Sequence, residues 1–100
     1  MKAIIKGRKY DTTTAKEVGW DNNGRGGFEF CEEHLYLKRT GEFFLHGWGG
    51  PSSKYCRSVG LNEWSGDEKI TPLTTEEAKK WAESHLRPDE YDKIFGEVEE

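Results

Sequence analysis

FEFCEEHLYLKRTGEFFLHGW, residues 28 to 48, decides the fold of this chain. Phe28 to Arg39 reads as a long strand and Glu42 to Trp48 as its antiparallel partner, because apolar and aromatic residues alternate with polar ones on either side of Thr40-Gly41. If those two residues form the turn, Leu37 pairs with Phe44, Tyr36 with Leu45 and Leu35 with His46. Phe28, Phe30, Tyr36, Phe43 and Leu45 then share one face, and Leu35, Leu37, Phe44 and Trp48 share the other. Such a hairpin is covered on both sides or leaves one side available, and the helices of this chain can cover only one.

Upstream, Lys2 to Lys6 is a short strand centred on Ile4 and Ile5, and Gly7-Arg8 suits a two-residue II′ turn. The return strand, Lys9 to Thr14, places Tyr10, Thr12 and Thr14 on one face, with Val18 and Trp20 as its extension. Asp21 to Gly27 gathers turn formers and reads as a solvated, mobile loop. Downstream, Gly47 to Ser53 breaks regular structure, and residues 51 to 66 support no assignment. Thr74 and Glu77 form a capping box, and Ala78, Trp81, Ala82 and Leu86 recur at helical spacing, so a helix is expected over about residues 75 to 86. Glu76 to Lys80 and Glu83 to Arg87 would be its i,i+4 pairs. Pro88 opens a second short helix that carries Tyr91, Ile94 and Phe95 and ends at Gly96.

These elements amount to one α+β domain over residues 1 to 100: an antiparallel or mixed sheet built from two hairpins, with two C-terminal helices packed on one face. Residues 1 to 66 form its β-rich part, residues 67 to 96 its helical part, and residues 97 to 100 a frayed acidic tail. With 33% apolar and 34% charged residues, the core is expected to draw much of its area from 13 aromatic side chains. No apolar run reaches the length of a membrane span or a signal peptide, which predicts a cytoplasmic protein. In that compartment Cys31 and Cys56 would be reduced thiols. Residues 1 to 60 hold ten Lys or Arg against seven Asp or Glu, whereas residues 61 to 100 hold five against twelve, so the two halves differ in sign.

Motifs for chemistry are missing. In the register above, His34 and His46 fall on opposite faces of the hairpin, and Cys31 lies roughly 13 Å along the strand from the partner of His46, so no four-ligand metal cluster is expected. Gly47 to Lys54 lacks the spacing of a phosphate loop, and Pro51 removes a donor. No Ser or Cys lies in a nucleophile motif. The expected protein is therefore not an enzyme and takes no cofactor.

Two binding classes remain. A partner protein or ribonucleoprotein effector would meet either the acidic residues of the terminal helices, Glu76, Glu77, Glu83, Asp89 and Glu90, or an aromatic anchor formed by Trp48 with Phe44 or Trp20. Nucleic acid would instead meet Lys6, Arg8, Arg25 and Arg39 of the β-rich half, although a sequence pI near 5.4 is far from the footprint of a dedicated binder.

KAIIKGRKYDTTTA, LYLKRTGEFFLHGWGG and ITPLTTEEAKKWAE together resemble small uncharacterised proteins of phages and conjugative elements of Gram-positive bacteria. The resemblance covers about half of the chain, and its motifs are structural: a Gly turn, a Thr-Gly hairpin and a helix cap. It implies an inhibitor of host defence, of the kind that includes anti-CRISPR proteins, whose acidic terminal third would occupy an effector's nucleic-acid channel. The alternative is a nucleic-acid-binding accessory protein of such an element.

Overall fold

In the computed structural model, which describes residues 1 to 96, antiparallel strands form three sheets and two helices follow them. β1 (Lys2–Ile5) and β2 (Arg8–Asp11) make the first hairpin. β3 (Lys16–Asn22), β4 (Cys31–Leu37), β5 (Phe43–Gly49) and β8 (Asp67–Leu73) form the main sheet, in the order β3-β4-β5-β8. β6 (Arg57–Gly60) and β7 (Glu63–Ser65) make a third, separate hairpin. Helices α1 (Thr75–His85) and α2 (Pro88–Phe95) complete the expected α+β architecture. The expected tail, residues 97 to 100, lies outside the described residues.

The central hairpin forms in a register one residue away from the expected one. Its loop has three residues, Arg39, Thr40 and Gly41, closed by Lys38 N–H donating to Glu42 O at 2.8 Å and Gly41 N–H donating to Lys38 O at 2.9 Å. Gly41 carries the positive φ of +90° that ends such a loop. Leu37 therefore faces Phe43, Tyr36 faces Phe44, Leu35 faces Leu45 and His34 faces His46. A slip of one residue turns a whole strand over, so Phe43 and Leu45 join Leu35 and Leu37, while Phe44 and Trp48 join Tyr36.

The face bearing Leu35, Leu37, Phe43 and Leu45 is the helix side. Ala78, Trp81 and Ala82 of α1 pack there, with Leu86, Tyr91, Ile94 and Phe95 around them. The capping box forms as expected: Glu77 N–H donates to Thr74 Oγ1 at 3.1 Å, and Thr74 N–H donates to Glu77 Oε1 at 2.8 Å. On the opposite face the first hairpin covers only one end, where Tyr10, Phe44 and Ile70 form a second cluster with Ala3, Ile5, Ala15 and Tyr36. Phe44 is fully buried there, with Tyr36 stacked at 5.1 Å and Tyr10 edge-on at 5.6 Å.

Other boundaries also differ from expectation. The first turn is Lys6-Gly7, both with positive φ, instead of Gly7-Arg8. β2 stops at Asp11, whose carboxylate accepts from Thr13 N–H at 2.9 Å and Thr13 Oγ1 at 2.7 Å and bends the chain. Val18 and Trp20 consequently belong to a separate strand, β3, which pairs with β4. Phe28 and Phe30 lie outside β4, because Gly27–Glu29 forms a short 3-10 turn. Asn23 pins the loop before it, accepting from Cys31 N–H at 3.2 Å and donating to Glu29 O at 2.7 Å. The strand content runs to Leu73, seven residues into the stretch read as helical. Pro72 fits there because β8 is an edge strand and needs no second ladder of N–H donors.

Gly41→Val should lower the urea midpoint by an amount equivalent to about 1–2 kcal/mol, the cost of a left-handed backbone for a residue with a Cβ. An unchanged midpoint would show that Gly41 does not close the loop in that conformation.

Candidate functional site

A buried charge lies on the helix side of the main sheet. Glu33 points to the helix side between Cys31 and Leu35 and is only 4% exposed. Its carboxylate accepts from Tyr55 Oη at 2.5 Å and Trp81 Nε1 at 3.1 Å, and Lys54 Nζ lies 2.7 Å away. Gly47, directly opposite Glu33, leaves the space that the Tyr55 ring fills, since a Cβ there would overlap that ring. β4, the segment before β6, and α1 thus converge on one carboxylate. Burial alone would push its pKa up, but the bonds from Lys54, Tyr55 and Trp81 outweigh burial and hold it below the usual carboxylate range. Burial and the adjacent Glu33 charge push the Tyr55 hydroxyl far above its ordinary value.

On the opposite face, beyond the end covered by the first hairpin, two cross-strand rows remain. One runs Trp20, His34, His46 and ends at Ile70, which the first hairpin still covers, and the other runs Asn22, Glu32, Trp48, Glu68. The His34 ring lies between two indoles, 5.8 Å from Trp20 and 4.9 Å from Trp48, with interplanar angles of 17° and 19°. The His46 ring lies 5.0 Å from Trp48. His34 Nε2 donates to Glu32 Oε2 at 2.6 Å and Nδ1 to Glu17 Oε1, while His46 Nε2 meets Glu68 Oε2 at 3.1 Å. Burial alone would lower the His34 pKa, yet the bonds to Glu32 and Glu17 and the charges of both carboxylates raise it above the ordinary imidazole value. Both ring nitrogens donate only in the charged form, so an imidazolium sandwiched by indoles is the state this geometry favours.

His34 and His46 are therefore direct cross-strand partners, contrary to the expectation that they lie on opposite faces, and Cys31, which the expected register puts on the same face as His46, lies on the other face. The loop length is the reason for both corrections. Among the described residues no group of three or more His, Cys, Asp or Glu side chains is placed to hold a metal.

The expected partner-binding residues separate into several environments. Phe44 is a core ring and reaches no partner, whereas Trp48 is half-buried on the open face. Glu77 and Glu90 accept backbone N–H groups as helix caps, and Asp89 lies 3.7 Å from Arg87. Glu76 and Glu83 are exposed and form no salt bridge among the described residues, so the expected pairs with Lys80 and Arg87 are not made; Arg87 turns to Asp89 and Glu90 instead. The basic set is also divided. Lys6 sits in the first turn, Arg8 bonds Glu42 at 3.2 Å, and Arg39 lies in the central loop. Arg25 is paired with Glu29 at 2.6 Å near the Cys31 end of β4, about 20 Å from the Arg39 end at the rise of a strand.

Sequence reasoning passed over Glu33 and the carboxylates around His34. The signal was present in alternation: Glu33 is the charged residue on the face carrying Leu35, and Glu32 shares a face with His34. A third feature also escaped it. The β6–β7 hairpin leaves Val59, Leu61 and Trp64 exposed at 51%, 92% and 59%. Together, fold and surface define an α+β domain with one helix-covered sheet face and one face left open at its tryptophan–histidine end. No family model, curated protein or solved structure matches the chain.

Glu33→Ala should cost about 2–3 kcal/mol in denaturant unfolding, because it strands the Tyr55 hydroxyl and the Trp81 indole N–H without an acceptor; a loss under half that would mean the three donors find other partners. The His34 pKa is raised on folding, so its stabilisation is present below the unfolded value of about 6.5 and is lost as pH rises through the folded value. Ring-proton NMR of His34 should give a midpoint above that of a model imidazole, with Trp20 and Trp48 fluorescence changing in parallel. A midpoint at or below it would contradict the doubly bonded imidazolium.

Proposed function

We propose that this chain is a non-enzymatic, protein-binding inhibitor of the anti-CRISPR kind, encoded on a mobile element and directed at a nucleic-acid-binding effector. The observation that carries the binding role is the β6–β7 hairpin, whose Val59, Leu61 and Trp64 stay in water. Several large apolar side chains exposed on one short hairpin can anchor a partner. The effector class draws support from the sequence resemblance and from the acidic terminal third. Within that third, charge mimicry falls to Glu76 and Glu83, with Asp89, since Glu77 and Glu90 serve their own helices. The nucleic-acid alternative draws less support, because Arg8 and Arg25 are ion-paired and the basic residues are divided between the two ends of the sheet.

The test is inhibition of DNA cleavage by a panel of RNA-guided nucleases from Gram-positive bacteria. The wild-type chain should block one of them, and Leu61→Asp combined with Trp64→Ala should weaken inhibition at least tenfold without lowering Tm. Glu76→Lys with Glu83→Lys should do the same if the acidic helices occupy the channel. A wild-type chain that inhibits none of the panel would remove the anti-CRISPR reading.

A further inference from the structure

We infer that the open end of the main sheet, around Trp20, His34 and Trp48, is a recognition surface for an arginine-bearing segment of the partner protein. This rests on the reading of the chain as a protein-binding module and supplies the chemistry of the contact. The same sheet face is closed at its other end by Tyr10 and its neighbours, so the uncovered rows are a local feature of the fold. Trp20, on the edge strand β3, is 52% exposed while one side of its ring lies against His34, which leaves indole surface turned to solvent.

Three carboxylates, Glu17, Glu32 and Glu68, border these rings, each engaged with a histidine through one oxygen. The second oxygen of each remains an acceptor. A planar guanidinium matches this combination: it stacks on an indole and donates in parallel to a carboxylate, which an ammonium does less well. Apart from His34 and His46, no cationic side chain among the described residues pairs with these carboxylates. Lys54 is bound to Glu33 on the far face, while Arg8 and Lys38 are bound to Glu42 beside the central loop. Phosphate would be repelled by the same carboxylates.

Two further features favour a protein segment. The rings are already ordered by stacking and by the His34 ion pairs, so little side-chain freedom is lost on contact. The anchoring hairpin also leads, through Gly66 and Asp67, directly into Glu68 of the open face. A partner held by Leu61 and Trp64 is therefore engaged within seven residues of chain from Glu68.

The experiment is an NMR titration of the full chain with four probes: an Arg-Gly repeat peptide, its Lys and Glu counterparts, and oligo-dT. The Arg peptide should shift the Trp20 and Trp48 indole signals and the His34 ring signals, more strongly than the Lys peptide, with no response to the other two. Trp20→Ala and, separately, Glu68→Lys should each weaken Arg-peptide binding at least fivefold; the second, at an exposed position, guards against a folding defect in the first. Shifts confined to α1 and α2, a response of Trp20 to oligo-dT, or concentration-dependent shifts without peptide would each overturn the inference. Leu61→Asp with Trp64→Ala separates the two ideas. If it abolishes effector inhibition while Glu68→Lys leaves both inhibition and peptide shifts intact, the sheet-face inference falls and the binding reading stands. If it leaves inhibition intact, the hairpin reading falls, and the peptide shifts still decide the inference.

Discussion

A single carboxylate on the helix side of β4 organises this molecule. Burying Glu33 without partners would be costly, and the chain answers with a hydroxyl from Tyr55, an indole N–H from Trp81 and the ammonium of Lys54. The donors come from two distant parts of the chain, Lys54-Tyr55 and Trp81, so the interaction specifies where the segment before β6 lies and how α1 is rotated. The glycine opposite, Gly47, is a condition of the arrangement, since any side chain there would displace the Tyr55 ring.

Once the helices and the Tyr55 segment are committed to that side, little is left to cover the other. The first hairpin suffices for Phe44, Tyr36 and Ile70. The Trp20–His34–Trp48 stack has no such cover, and its imidazole, like that of the neighbouring His46, is bonded to carboxylates of the same face. The open face is thus ordered without being buried. The β6–β7 hairpin is the opposite case: its strands pair with each other, and its large apolar side chains face water.

The sequence made some of this legible and concealed the rest for identifiable reasons. Helix α1 was readable because Thr74 and Glu77 announce its start and Ala78, Trp81 and Ala82 its buried side; Pro88 and Gly96 marked α2. The central hairpin was readable as well, but its register depended on whether Arg39 belonged to the loop, which alternation cannot decide. That one residue moved Phe44 from the surface to the core and brought His34 opposite His46. β8 was obscured by Pro72, harmless only on an edge, and β6–β7 by exposed apolar residues with no buried face to give a period. The Glu33 cluster joins positions 33, 54, 55 and 81, a separation that no local pattern reveals.

The most direct measurement of the central claim is the carboxyl-carbon NMR titration of Glu33 in the folded protein. Three donors outweighing burial predict a midpoint below the model glutamate value of about 4.3, with the associated stability present above the unfolded pKa and lost as pH falls through the folded one. A midpoint above the model value would mean that burial prevails, that Glu33 is not held charged by its partners, and that the carboxylate does not organise the fold.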